Sequence, residues 1–159
     1  MAIYDRALRS LAERIGVEPI KHICKQATVQ SVHRIAVYYA DGRAANSIAT
    51  LVQYRGDTSH TLCIQYDGLF DGKSIERNIS FDDYEEHNKA LQKAHFDTLG
   101  DMPDRDLNGK TVWCIERASG GLHHVVVMSP EIAQKLYTIV VNSVSTYLAE
   151  AIREVPVRK

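Results

Sequence analysis

Residues 104–109, Asp104-Arg105-Asp106-Leu107-Asn108-Gly109, have the spacing D-x-D-x-N-G that opens a calcium loop. In such a loop alternate oxygens point inward and the glycine permits the bend. The second half breaks the pattern, because position twelve is Ile115 and the nearest acid, Glu116, comes one residue late. Residues beyond Gly109 also read as a strand, where a calcium loop would enter a helix. Asp104, Asp106 and Asn108 are therefore metal candidates set against an ordinary turn, since Asp and Asn favour turns by bonding their own backbone. No cofactor is expected.

His123 and His124 adjoin on a strand, so their side chains point to opposite faces and cannot share one metal. A four-residue turn over Ala118-Ser119-Gly120-Gly121 would set Glu116 opposite His123 and Ile115 opposite His124. Glu116 and His123 are thus the catalytic candidates, as an acid/base pair, with a cross-strand charge pair as the plain alternative. His22 and Cys24, as H-x-C in an extended segment, supply two zinc ligands, with His60, Cys63 or Cys114 as conceivable partners; two ligands do not make a site. His87 and His95 fall near one side of a helix, where core-edge histidines are usual. No GxSxG, HExxH, P-loop, GxGxxG or kinase set occurs. The expectation leans away from an enzyme, a small hydrolase using Glu116 and His123 being the outside reading.

The elements that must hold these residues follow from periodicity. Tyr4, Ala7, Leu8, Leu11, Ala12 and Ile15 line one side of a helix over residues 3–15, which Gly16 stops and Pro19 keeps from resuming. Residues 32–40, 48–55 and 61–66 read as a meander, with a short fourth strand at 75–79. Ser80 caps a helix over 81–99 that ends at Gly100. Residues 111–117 and 122–128 form a hairpin. Ser129, Pro130 and Glu131 then mark the start of one long helix running to about Val155. The fold expected is α+β, an antiparallel sheet of five or six strands with an N-terminal, a middle and a long C-terminal helix packed on it, in one domain over residues 1–159.

Composition narrows the function. Apolar residues make up 45% and charged residues 25%, as in soluble domains. No apolar run is long enough to span a bilayer and the first residues lack a signal core, so no membrane partner and a cytoplasmic location are expected. The three cysteines lack a CxxC and read as reduced thiols. Net charge is −1, but residues 67–106 carry eleven acids against five bases, while residues 1–43 carry seven bases against four acids. A chain whose largest charge excess is acidic starts behind as a nucleic-acid binder.

Two surfaces remain. Arg34, Tyr38, Arg43, Tyr54 and Tyr66 belong to the meander, where aromatics beside arginines can stack single-stranded bases. On the last helix, the side opposite the apolar stripe carries Ile132, Lys135, Ile139, Asn142 and Thr146 among hydroxyls and amides, with little charge. Such a face suits partner recognition or self-association. Both hairpin faces are also largely apolar. The order helix, meander, helix, hairpin, helix is similar to that of small dimeric secretion chaperones, a likeness of element order that carries no motif. The leading expectation is a non-enzymatic protein-binding module, a chaperone, inhibitor or assembly factor, as a homodimer; a single-strand or nucleotide binder is the alternative.

Overall fold

A computed structural model describes residues 3–157. In chain order the elements are α1 (Asp5–Ile15), α2 (Ile20–Cys24), β1 (Val29–Tyr39), β2 (Ser47–Tyr54), β3 (Ser59–Tyr66), β4 (Ile75–Ser80), α3 (Phe81–Lys93), β5 (Thr111–Ser119), β6 (Leu122–Met128) and α4 (Leu136–Tyr147). The strands form one antiparallel sheet of six in the order β4-β3-β2-β1-β5-β6. The α+β architecture and every expected strand are present. Among the described residues no helix is long and apolar enough to cross a membrane.

Helices cover both faces, so β1 and β5 have no exposed side: β1 is buried along nearly its whole length and β5 is buried or half-buried throughout. On one face Leu11 of α1 is fully buried with Ala36 and Ile48, and Ile20 of α2 with Val29, Val32 and Ala118. On the other, Ile35, Val37, Leu51, Ile64, Trp113, Ile115, Val126 and Met128 meet Tyr84 and Leu91 of α3 and Val140 and Val144 of α4. The apolar excess of the hairpin is thus hidden within a single chain.

Four expectations need correction. The long last helix is broken: Pro130–Ile132 make a single 3-10 turn, Ala133 is extended, and Lys135 takes φ 55°, ψ −126° before α4 begins. The start signals launch a turn that the chain then reverses, and Ser129 caps nothing. At the far end Leu148 leaves helical geometry (φ −126°, ψ 37°) and a 3-10 turn follows. The middle helix stops at Lys93, because His95 swings to φ 52° and a 3-10 turn at Phe96–Thr98 buries Phe96. Pro19, expected only to block α1, instead precedes α2, so His22 and Cys24 lie on a helix and not on an extended segment. The β5–β6 turn has two residues, Gly120 with φ 58° taking the first central position that a II′ turn reserves for glycine. Glu116 therefore pairs with Val125, and His123 with Ala118. The shift is two residues, so each side chain keeps its expected face.

The sheet's outer margins are occupied differently. On β6 the Val127 amide donates to Asp101 Oδ1 (2.8 Å) and its carbonyl accepts from the Met102 amide (2.9 Å). On β4 the exposed run is Glu76-Arg77-Asn78, with Arg77 3.8 Å from Glu150.

Candidate functional site

The face of the sheet under α3 and α4 changes character along the strands. Its middle is apolar, but where β1 begins and β5 ends it turns polar. In the register, Leu51 of β2, His33 of β1, Arg117 of β5 and His124 of β6 form one row, and the next row holds Gln53, Ser31 and Ser119. Alternation puts these residues on the same side as Ile35 and Ile115. Above them lie Tyr84 and His87 of α3. Between α3, the Phe96–Thr98 turn and this polar end opens a cleft of about 500 Å³, with Ser31, Gln53, Tyr84, Asn88, Gln92 and Arg117 in its walls.

The cleft floor is tightly bonded. Ser31 Oγ lies 2.7 Å from Tyr84 Oη, and the phenol donates to Gln53 Oε1 at 2.5 Å. Ser31 Oγ also sits 2.9 Å from that oxygen, so with the phenol proton on Gln53 the single Ser31 proton serves either the phenol or the same carboxamide oxygen. This fixes the carboxamide with its oxygen inward and its two N–H donors outward. Arg117 donates from Nη1 to both oxygens of Asp97 (3.1 Å). His124 donates from Nε2 to the Leu99 carbonyl (2.6 Å) and meets Phe96 edge-on at 5.5 Å.

Behind Tyr84 stand three buried histidines from three elements: His33 (4% exposed), His60 (2%) and His87 (1%). The Tyr84 ring is 4.3 Å from His60 and 5.6 Å from His33, and His33 lies 5.7 Å from His87. His87 Nδ1 is 2.7 Å from Ser143 Oγ of α4. Among the described residues neither nitrogen of His60, nor Nε2 of His33, has a partner. Burial pushes the His87 imidazole down to about 4. His33 falls well below its ordinary value, by burial first and then by His87, Arg117 and His60. His60 is also lowered by burial, against the pull of Asp57 and Glu85. All three are neutral imidazoles at pH 7. Sequence reasoning placed His87 at a core edge and missed the cluster, because His33 and His60 meet it only through the register.

No protein-family model matches this chain. No curated protein matches it either. Function rests on the geometry.

The residues singled out from the sequence are dispersed. Glu116 and His123 do meet (Oε2 to Nε2, 3.0 Å), but diagonally and on the α1–α2 face, with Arg34 opposite Glu116. Burial, foremost, and Glu116 push the Cys114 thiol on that face up, which disfavours its thiolate. Asp104 accepts from the Ile3 amide (3.1 Å) and residues 104–106 form a 3-10 turn; Asp106 and Asn108 line a second cavity beside Ile132, Lys135 and Leu136. Among the described residues no three His, Cys, Asp or Glu side chains are placed to hold a metal.

The nucleic-acid candidates form no common exposed surface. Arg34 is 6% exposed and donates to Thr50 Oγ1 (3.0 Å). Tyr66 is buried on the opposite face, and Tyr38 packs against Tyr4 at 5.8 Å. Arg43 lies 4.8 Å above Tyr39 and binds Asp41 and Glu154, each at 3.0 Å; Tyr54 alone of the set is an exposed ring. The partner-face candidates are kept together better. Ile132 and Lys135 border the second cavity, while Ile139, Asn142 and Thr146 line an open groove against Glu86, Lys89, Ala90 and Lys93 of α3.

Proposed function

We propose that the protein is a non-catalytic binding module that pairs with a second copy of itself through the outward side of α4. The carrying observation is that the twelve residues of α4, LYTIVVNSVSTY, include no charge although the helix lies at the surface. Asn142, Ser145 and Thr146 are exposed, and Ile139 and Val141 are half-buried. Solvated helix faces carry charge, whereas the centre of an interface is depleted of it. Small hydroxyl and amide side chains also let two helices approach closely.

A helix of this length spans roughly 18 Å. That is too little by itself for the ~800 Å² per partner of a stable complex. The exposed edge of α3 extends the surface, and its charges suit a two-fold axis, because Glu86 of one copy can face Lys89 or Lys93 of the other. Such a dimer would serve as a chaperone, inhibitor or assembly factor for another protein. Three free cysteines suit a reducing cytoplasm.

Light scattering after size exclusion should report about twice 17.9 kDa, and Ile139→Lys should return the mass to one chain. A strict monomer at micromolar concentration overturns the proposal.

A further inference from the structure

The cleft at the polar end of the sheet has donors that nothing in the chain uses. Both bonds of Arg117 leave from Nη1. The side-on Nε–Nη2 edge offers two parallel N–H groups that match a carboxylate or phosphate, and it has no partner among the described residues. The carboxamide nitrogen of Gln53 likewise has none, since the Tyr84 phenol, with Ser31 beside it, holds only the oxygen. Gln53 and Arg117 stand on the strands either side of β1 and one row apart, about 12 Å from each other at the backbone. Their side chains are long enough to converge above Ser31 and Ser119, and both line the cleft. Arg117 sits in register between His33 and His124. His33 is nine-tenths buried or more, with Nε2 unpartnered.

We propose that this cleft binds a small oxyanion, a carboxylate or phosphate group, gripped by the Nε–Nη2 edge of Arg117 and by the amide N–H groups of Gln53. The hydroxyls and amides of Ser119, Thr98, Asn88 and Gln92 then hold the polar remainder of the ligand. Asp97 steers the guanidinium and competes with the ligand for it. Glu85 is the other acid in the wall, and its charge sets a limit on affinity. This site lies apart from the outward side of α4, so it stands or falls independently of self-association.

The test is a titration of the full chain with inorganic phosphate and, separately, with acetate at constant ionic strength. Imidazole and amide resonances in nuclear magnetic resonance spectra report occupancy. Saturable shifts at millimolar anion centred on His33, His124 and Arg117 are expected, and the anion that saturates first identifies the source group. Arg117→Gln should weaken binding on the order of tenfold or more. Gln53→Glu keeps an oxygen for Ser31 and Tyr84 but presents a negative charge, and should also abolish it. Asp97→Asn, on an exposed turn, should tighten binding by freeing Nη1. No saturation by either anion, or equal affinity in the wild type and all three variants, overturns the proposal.

Discussion

Acidification is expected to unfold this protein from within, and His87→Gln should blunt the effect. His33, His60 and His87 are neutral and buried in the native state, with Arg117 the nearest fixed positive charge and Glu85 and Asp57 the acids that face His60. In the unfolded chain each histidine titrates near 6.5. Below that pH the unfolded state binds more protons than the native state, so stability is whole above about 6.5 and is lost as pH falls toward the native value, about 4 for His87. Over that span His87 alone removes roughly 3 kcal/mol, and at pH 5.5 about 1 kcal/mol. His33 adds to the loss in the same direction. A domain stable by ~5–15 kcal/mol cannot absorb several such losses. Urea unfolding followed by Trp113 fluorescence between pH 7.5 and 5.5 measures the slope before carboxylates titrate. Gln at position 87 can still bond Ser143 but takes no proton, so the variant should lose about 1 kcal/mol less across that range, whatever its stability at pH 7.5. Identical pH slopes in wild type and variant would refute the reasoning.

Two further outcomes follow from the backbone. Lys135→Gly should stabilise the protein by about 1 kcal/mol, since φ 55°, ψ −126° strains any side-chain-bearing residue while glycine adopts it freely; a destabilised variant in urea titration would mean that the lysine side chain itself holds the bend. Ser80→Ala should cost about 1 kcal/mol by leaving the Asp83 amide without its 3.1 Å acceptor, whereas Ser80→Thr should cost less, both read from thermal unfolding.

The strands were legible because alternation and turn residues are local. Asp41-Gly42, Gly56 and Gly120-Gly121 punctuate them, and the structure keeps each within about three residues. Ser80 was legible as a cap for the same reason. The breaks at Lys135, His95 and Leu148 were not. At each a residue with ordinary helical tendencies takes a non-helical conformation, and only packing selects it. Tyr137 anchors to the Gly100 carbonyl (2.6 Å) and Phe96 is buried beside His124. The cleft was invisible for a related reason. His33, Gln53, Tyr84 and Arg117 lie on four elements, and their adjacency depends on β1 sitting between β2 and β5. Linear proximity drew attention to Glu116 and His123, which do touch, but on the side of the sheet away from the cavity.

The two margins of the sheet also govern how this chain behaves when crowded. The middle of the β6 margin is already spoken for by Asp101 and Met102, and β4 presents a short row of charge and amide to any incoming backbone. Neither side offers a long flat template, so lateral growth into cross-β stacks is disfavoured without a dedicated cap. An extended peptide likewise finds the middle of β6 taken at Val127, which leaves only the short, charged β4 margin open to strand addition.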